Sequence, residues 1–466
     1  MTKGGTLQTI LGSFYNHLAM GIHIRLLALA IFTGLLISPA NAQFIQSFGD
    51  TLTLNGAPFR CAGTNIYWLG LDENVGSISY PTEFRIDDAL DTAKEMGAIL
   101  VRAHTLGVST GNKLSLEPML NVFNDDAFKT IDYAIAAASK RGIHLLIPLT
   151  DEYHYFHGGK HNFTDWEKVN EDQFYTNAAV IADFEAYISH LLNHVSAITG
   201  IALKDDPAIM AWETGNEIHP PTSWTRTISA YIKSVDRNHL VLDGRYGVDP
   251  GALSIPTVDL VGTHFYIASY RMMAEALRKE VALTAGKKAF IVGEFAWNAR
   301  DNDGDLNSFL AEARKNKGVA GVAYWSLFGH NDQHGYVQHN DGNTLHYPGD
   351  TPDMKTEAKQ LREFACAMSG RSVPDAGTPP APLITSVASD GHISWRGAAI
   401  SATYQLERST TGDNGPWTVV TTGSKTDNDT PWRDPDFPGG TVWYRIKGAN
   451  LSGVFGPYSP VYRSGN

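Results

Sequence analysis

Residues 127–149 read AFKTIDYAIAAASKRGIHLLIPL. The first part, Ala127 to Lys140, reads as an amphipathic helix. The second, 143–149, is an apolar run without clean polar–apolar alternation, as in a parallel strand buried on both faces. The same pairing recurs outward in both directions. Apolar runs lie at 59–66, 98–104, 208–215, 239–243, 258–265, 288–294 and 319–326. Helical stretches between them include Asp87 to Met96, Ala178 to Ile198, and Ala311 to Lys315 with its flanks. Eight strands with interleaved helices over roughly 300 residues predict an α/β fold, a (β/α)8 TIM barrel. A doubly wound open sheet is the rival, but no Gly-rich dinucleotide turn follows the first strand. Upstream, 51–62 read TLTLNGAPFRCA, a hairpin turning at Asn55-Gly56.

Ser372 to Pro382 read SVPDAGTPPAP, a Pro-rich linker. Strand-like segments at short spacing follow at 384–388, 392–395, 403–409, 417–421, 442–449 and 458–463, with no helical pattern between them. They predict a small all-β immunoglobulin-like sandwich. The expected divisions are a barrel over 43–371, a linker over 372–380 and a sandwich over 381–466.

The chain of 466 residues carries 37 Lys and Arg against 49 Asp and Glu, a formal charge of −12. A nucleic-acid partner would need a basic stripe, so none is expected. Hydrophobic residues make up 43% and charged residues 18%, which excludes bulk disorder. Two cysteines exclude a disulfide scaffold and a four-Cys zinc site. At the N-terminus, His23 and Arg25 precede the apolar run Leu26 to Ile37, and Ala40-Asn41-Ala42 follows it. This reads as a signal peptide over 1–42, with 1–19 as an upstream extension before Met20. The expectation is a protein secreted to an extracellular or periplasmic space, with no membrane attachment after cleavage.

Barrel active sites lie where strands end. Ile209-Met210-Ala211-Trp212-Glu213-Thr214-Gly215-Asn216-Glu217 is an apolar strand, fourth in order, closing on Asn-Glu. Ile291-Val292-Gly293-Glu294-Phe295-Ala296-Trp297, the seventh, closes on a lone Glu. Two carboxylates facing across a barrel mouth suit glycoside hydrolysis, one donating a proton and one attacking the anomeric carbon.

On these residues the chain resembles glycoside hydrolase family 5, its β-mannanase-like members, over about 44–370. The matching positions are Arg102, Asn216-Glu217, His264, Tyr266, Glu294 and Trp325. The resemblance implies Glu217 as acid/base and Glu294 as nucleophile. Arg102 and Tyr266 are then expected to keep Glu294 ionised. Asn216 would bind the 2-hydroxyl, His264 would orient the network, and Trp325 would lie beneath the reacting sugar. Trp68, in Tyr67-Trp68-Leu69-Gly70, resembles the family's aromatic platform. One departure leaves the substrate open: Ile218-His219-Pro220-Pro221 follows Glu217, where the family continues with Pro and Arg. The C-terminal segment resembles a fibronectin type III module, on Trp395, Tyr404-Gln405-Leu406-Glu407-Arg408 and Trp443-Tyr444-Arg445-Ile446.

The leading expectation is a retaining, secreted hydrolase of β-1,4-linked mannan-type polysaccharide, a monomer without cofactor or metal. Its alternatives are an exo-acting β-mannosidase, a β-glucan-cleaving relative, and, outside catalysis, a carbohydrate-binding protein or a surface adhesion protein. Histidines gather at 154, 157 and 161 and again at 330, 334 and 339; these are read as cleft loops rather than zinc ligands. Asp301, Asp303, Asp305 and Glu312 follow calcium-loop spacing without its glycine, and Asp305 fits a helix N-cap better. Asn162, Asn428 and Asn450 stand in glycosylation sequons. Cys61 and Cys366 are either joined across the barrel bottom or two separately buried thiols.

Overall fold

The computed structural model describes residues 44–299, 303–421 and 423–465. The segment 1–42, expected to be a signal peptide, and Asp301 lie outside them.

An antiparallel hairpin sheet comes first: β1 (Gln46–Phe48), β2 (Thr51–Leu54) and β3 (Ala57–Phe59). Its turn is Asn55-Gly56 as expected, both at positive φ, 58° and 76°. Eight parallel strands follow: β4 (Cys61–Asn65), β5 (Leu100–Arg102), β6 (His144–Pro148), β7 (Ile209–Glu213), β8 (Leu240–Asp243), β9 (Leu260–Phe265), β10 (Ala289–Phe295) and β11 (Val319–Tyr324). They close in the order β10-β11-β4-β5-β6-β7-β8-β9, a complete barrel with no free edge. All eight predicted runs are barrel strands.

The crossovers are α1 (Glu83–Glu95), α2 (Asp126–Arg141), α3 (Lys160–Trp166), α4 (Ala178–Asn193), α5 (Thr222–Val235), α6 (Tyr270–Thr284), α7 (Leu306–Lys315) and α8 (Pro352–Met368). Side-chain caps set several starts. Thr82 accepts from Arg85 N, so α1 begins four residues before the expected Asp87. Asp305 caps α7 by accepting from Ser308 N, as expected.

Apolar side chains fill two layers. Leu100, Leu146, Met210, Leu260 and Ile291 pack inside the barrel, and Ile86, Leu90, Ile131, Ile188 and Phe309 belong to the layer between strands and helices. Cys61 belongs to the inner layer, whereas Cys366 on α8 faces Gly97 outside the strands. Both thiols are free and buried, which settles the alternative between bridge and separate thiols. Burial pushes the Cys61 thiol up to about 12, so it packs as an inert group.

Beyond the barrel lie two sheets. One has β12 (Leu383–Val387), β13 (His392–Arg396) and β16 (Trp432–Arg433). The other has β14 (Thr403–Ser409), β15 (Thr418–Val419), β17 (Trp443–Ala449) and β18 (Tyr462–Arg463). Trp395, Tyr404, Leu406, Tyr444 and Ile446 form their shared core. The barrel and these sheets belong to one compact unit.

Candidate active site

Arg102 ends β5 and is fully buried, so its charge needs partners. Glu213, at the end of β7, takes it in a two-point pair: Nε to Oε2 at 2.8 Å and Nη2 to Oε1 at 3.1 Å. The remaining donors reach Glu294 Oε1 at 2.6 Å, Asn216 Oδ1 at 2.9 Å and Asn65 Oδ1 at 3.3 Å. One guanidinium thus ties strand ends β4, β5, β7 and β10 together.

Glu294 lies on β10 where the pairing with β9 shifts register between Val292 and Glu294. Gly293 is required there: a Cβ would sit 2.6 Å from His264 Nε2. The carboxylate is buried and receives Arg102 on Oε1 and the Tyr266 hydroxyl on Oε2 at 2.5 Å. Burial alone would raise the Glu294 carboxyl. His264, His104 and Arg102 more than offset that and hold it well below the usual carboxylate range. The Tyr266 hydroxyl is pushed far up by burial and the Glu294 charge, so it stays a donor.

Glu217 follows β7 in the left-handed region, φ 53°, a costly conformation for a residue with a side chain. Its neighbours impose it: Asn216 N donates to Thr150 O at 2.8 Å, and Ile218 N to Gly244 O at 3.1 Å. The carboxylate projects into the cavity, where Tyr153 OH donates to Oε2 at 2.8 Å and His264 Nδ1 meets Oε1 at 2.7 Å. The same Nδ1 is 3.6 Å from Glu294 Oε2. Carboxylate oxygens of Glu217 and Glu294 come within 4.8 Å of each other.

The cavity, of about 270 Å³, holds Glu217, Glu294, Asn216, Tyr266 and Trp325 on its walls. His264 and Arg102 act from beneath it. Trp325 is half-buried and stacks on Tyr67, centroids 5.3 Å apart. Trp68 does not join them. It is buried against Phe328 and the Arg85 guanidinium, and the neighbouring Tyr67 lines the cavity instead. His157 and His339 reach the cavity, while His154 stacks on His161 and His330 is buried against Asp88.

Sequence reasoning did not single out Glu213, His104, Asp151 or Tyr153. Asp151 is fully buried and accepts from Asn216 Nδ2 at 3.3 Å. That bond, with Arg102 on Oδ1, fixes which way the Asn216 amide points. Glu213 was visible as a strand-end acid four residues before Glu217.

A sequence profile described as "GH family 5 beta-mannosidase-like" matches residues 42–267. The putative mannan endo-1,4-β-mannosidase 9 of Oryza sativa is 29% identical over 368 residues, 66% of this chain and 88% of that protein. Mannan endo-1,4-β-mannosidase 7 of Arabidopsis thaliana is 31% identical over 258 residues, 48% of this chain and 58% of that protein. Among solved structures, the endo-1,4-β-D-mannanase of Thermotoga petrophila RKU-1 superposes with a TM-score of 0.58 at 25% identity, covering 66% of this chain and 99% of that one. With two carboxylates set across the barrel mouth, the chain is similar to the β-mannosidase-like members of glycoside hydrolase family 5 and is an O-glycosyl hydrolase.

Proposed function

We propose that the protein hydrolyses β-1,4-linked mannan-type polysaccharide with retention of configuration, Glu294 acting as nucleophile and Glu217 as acid/base. The observation that carries this reading is the approach of the two carboxylates to within 4.8 Å. Retaining enzymes need about 5–5.5 Å between these groups, and inversion needs room for a water, about 6.5–9.5 Å.

In the first step Glu294 attacks the anomeric carbon while Glu217 gives its proton to the departing glycosidic oxygen. In the second, Glu217 takes a proton from water, whose oxygen displaces Glu294 from the sugar. Arg102 and Tyr266 hold Glu294 ionised and aimed. Asn216 keeps an amide proton for the 2-hydroxyl, a contact that strengthens in the transition state. Trp325 offers its face to the sugar ring. The mannan assignment draws on the relatives' substrates. Secretion, and a fibronectin type III-like module from about 381 after the linker, belong to the same proposal and rest on the sequence.

The test is incubation with mannan, glucomannan, cellulose and xylan, reading product lengths, with Glu294→Ala as the blank. Release of oligosaccharides from mannan and glucomannan is the expected result. Cleavage of cellulose or xylan alone would overturn the substrate, and single mannose units released from chain ends would make the action exo.

A further inference from the structure

The loop between β11 and α8 has two faces. Its later part supplies His339, Asp341 and Asn343 to the cavity wall. Trp325 Nε1 donates to the Asp341 carboxylate, His339 meets Asn74 Oδ1 at 2.9 Å, and Trp297 Nε1 donates to Asn343 O at 2.6 Å. Its earlier part is held between the barrel and the C-terminal sheets. His330 is buried, with Nδ1 2.9 Å from Asp88 Oδ1 on α1. Its backbone N–H also donates to Asp88, at 2.7 Å. On the other side, Nε2 stands 3.2 Å from Asp427 Oδ2 at ion-pair range, although no hydrogen bond forms there.

Asp427 is itself buried and fixed by Tyr404 OH at 3.0 Å. Gly397 closes the joint: a Cβ there would lie 2.2 Å from Asp427 Oδ1 and 2.3 Å from the His330 ring. From this anchor a stack of rings runs back through the loop. Tyr336 lies on His330 at 4.6 Å and on His346 at 4.3 Å, and His346 Nε2 bonds Val337 O at 2.8 Å.

We propose that the C-terminal sheets position one wall of the substrate cleft: Asp427, acting through His330, holds the β11–α8 loop so that His339, Asp341 and Asn343 stand beside Trp325. The substrate part of this inference rests on the glycosidase reading above. Asp427 touches no substrate and is a positioning residue. A buried charge pair of this kind fixes one arrangement because every alternative strands a charge away from water. The sheets are therefore more than a tether joined by a Pro-rich linker.

The test uses the full chain carrying Asp427→Asn, with Tyr404→Phe as the milder second variant. Arg396→Ala is the control, since Arg396 stacks on Phe84 of α1 at 3.8 Å, across the same joint but away from the loop. Amide hydrogen exchange over 336–345 is read without substrate, and KM and kcat are read on a soluble mannooligosaccharide. Asp427→Asn should speed exchange in 336–345 and raise KM roughly three- to tenfold with kcat within about twofold. Tyr404→Phe should move both the same way by less, and Arg396→Ala should move neither.

Wild-type exchange and KM in Asp427→Asn would overturn the proposal, and Tyr404→Phe decides in its place should that chain not fold. Faster exchange with unchanged KM, or an equal shift from Arg396→Ala, would also overturn it. Because exchange needs no substrate, failure of the wild type on mannan would strike the proposed activity and leave the loop claim to the exchange data.

Discussion

His264 Nδ1 lies 2.7 Å from Glu217 Oε1, and that ring nitrogen faces both candidate catalytic carboxylates. The imidazole sets where Glu217 points, a position the backbone reaches only through positive φ. His264→Ala should therefore lower kcat about a hundredfold while leaving the barrel folded, because a misplaced acid loses its alignment with the leaving oxygen. Circular dichroism beside steady-state rates checks both halves.

Gly293→Ala places a methyl 2.6 Å from His264 Nε2. The ring must tilt or the bulge must shift, at a cost of about 1–3 kcal/mol. Activity should fall further than that stability loss explains, measured as kcat/KM at a temperature where the variant is folded by calorimetry.

Arg102→Ala removes the guanidinium shared by Glu213 and Glu294 and strands buried carboxylates, a loss of about 3–5 kcal/mol. The sign with pH follows from Glu294, whose folded pKa is depressed. Its stabilisation is complete above its ordinary value near ~4.3 and fades as pH falls toward the folded one. Urea midpoints between pH 7 and pH 3 should thus fall in the wild type and change less in the variant.

His330 works in the opposite sense. Burial would lower its pKa, but Asp88 and Asp427 raise it to about 10; Tyr336 and Tyr404 are the other titratable groups packed around this pair. A raised cation stabilises fully below its ordinary value near ~6.5, and that contribution is lost as pH climbs toward 10. Urea midpoints should decline from pH 7 to pH 10, and His330→Asn should flatten the decline. An unchanged slope in that variant would remove His330 as the cause.

All eight barrel strands were legible because strands buried on both faces must be apolar throughout, and Glu217 and Glu294 stood out as charges ending such runs. The facing of side chains after β4 was not legible. The chain leaves the strand at Ile66, period-two alternation no longer applies, and Tyr67 rather than Trp68 meets the cavity. Asp151 was hidden, and Glu213 was visible only as a strand-end acid without a role, for another reason: a buried acid is informative only once its partner is known, and Asn216 is distant in sequence from Asp151 as Arg102 is from Glu213. The joint at His330 was equally hidden, since Asp88 and Asp427 lie on either side of it at long range.

The central claim is double displacement through Glu294, and the configuration of the first-formed product tests it most directly. Proton NMR of the anomeric signals, recorded in the first minutes of mannooligosaccharide cleavage before mutarotation, should show the β-anomer appearing first, as retention requires. Initial appearance of the α-anomer would mean inversion and would contradict the assignment of Glu294 as nucleophile.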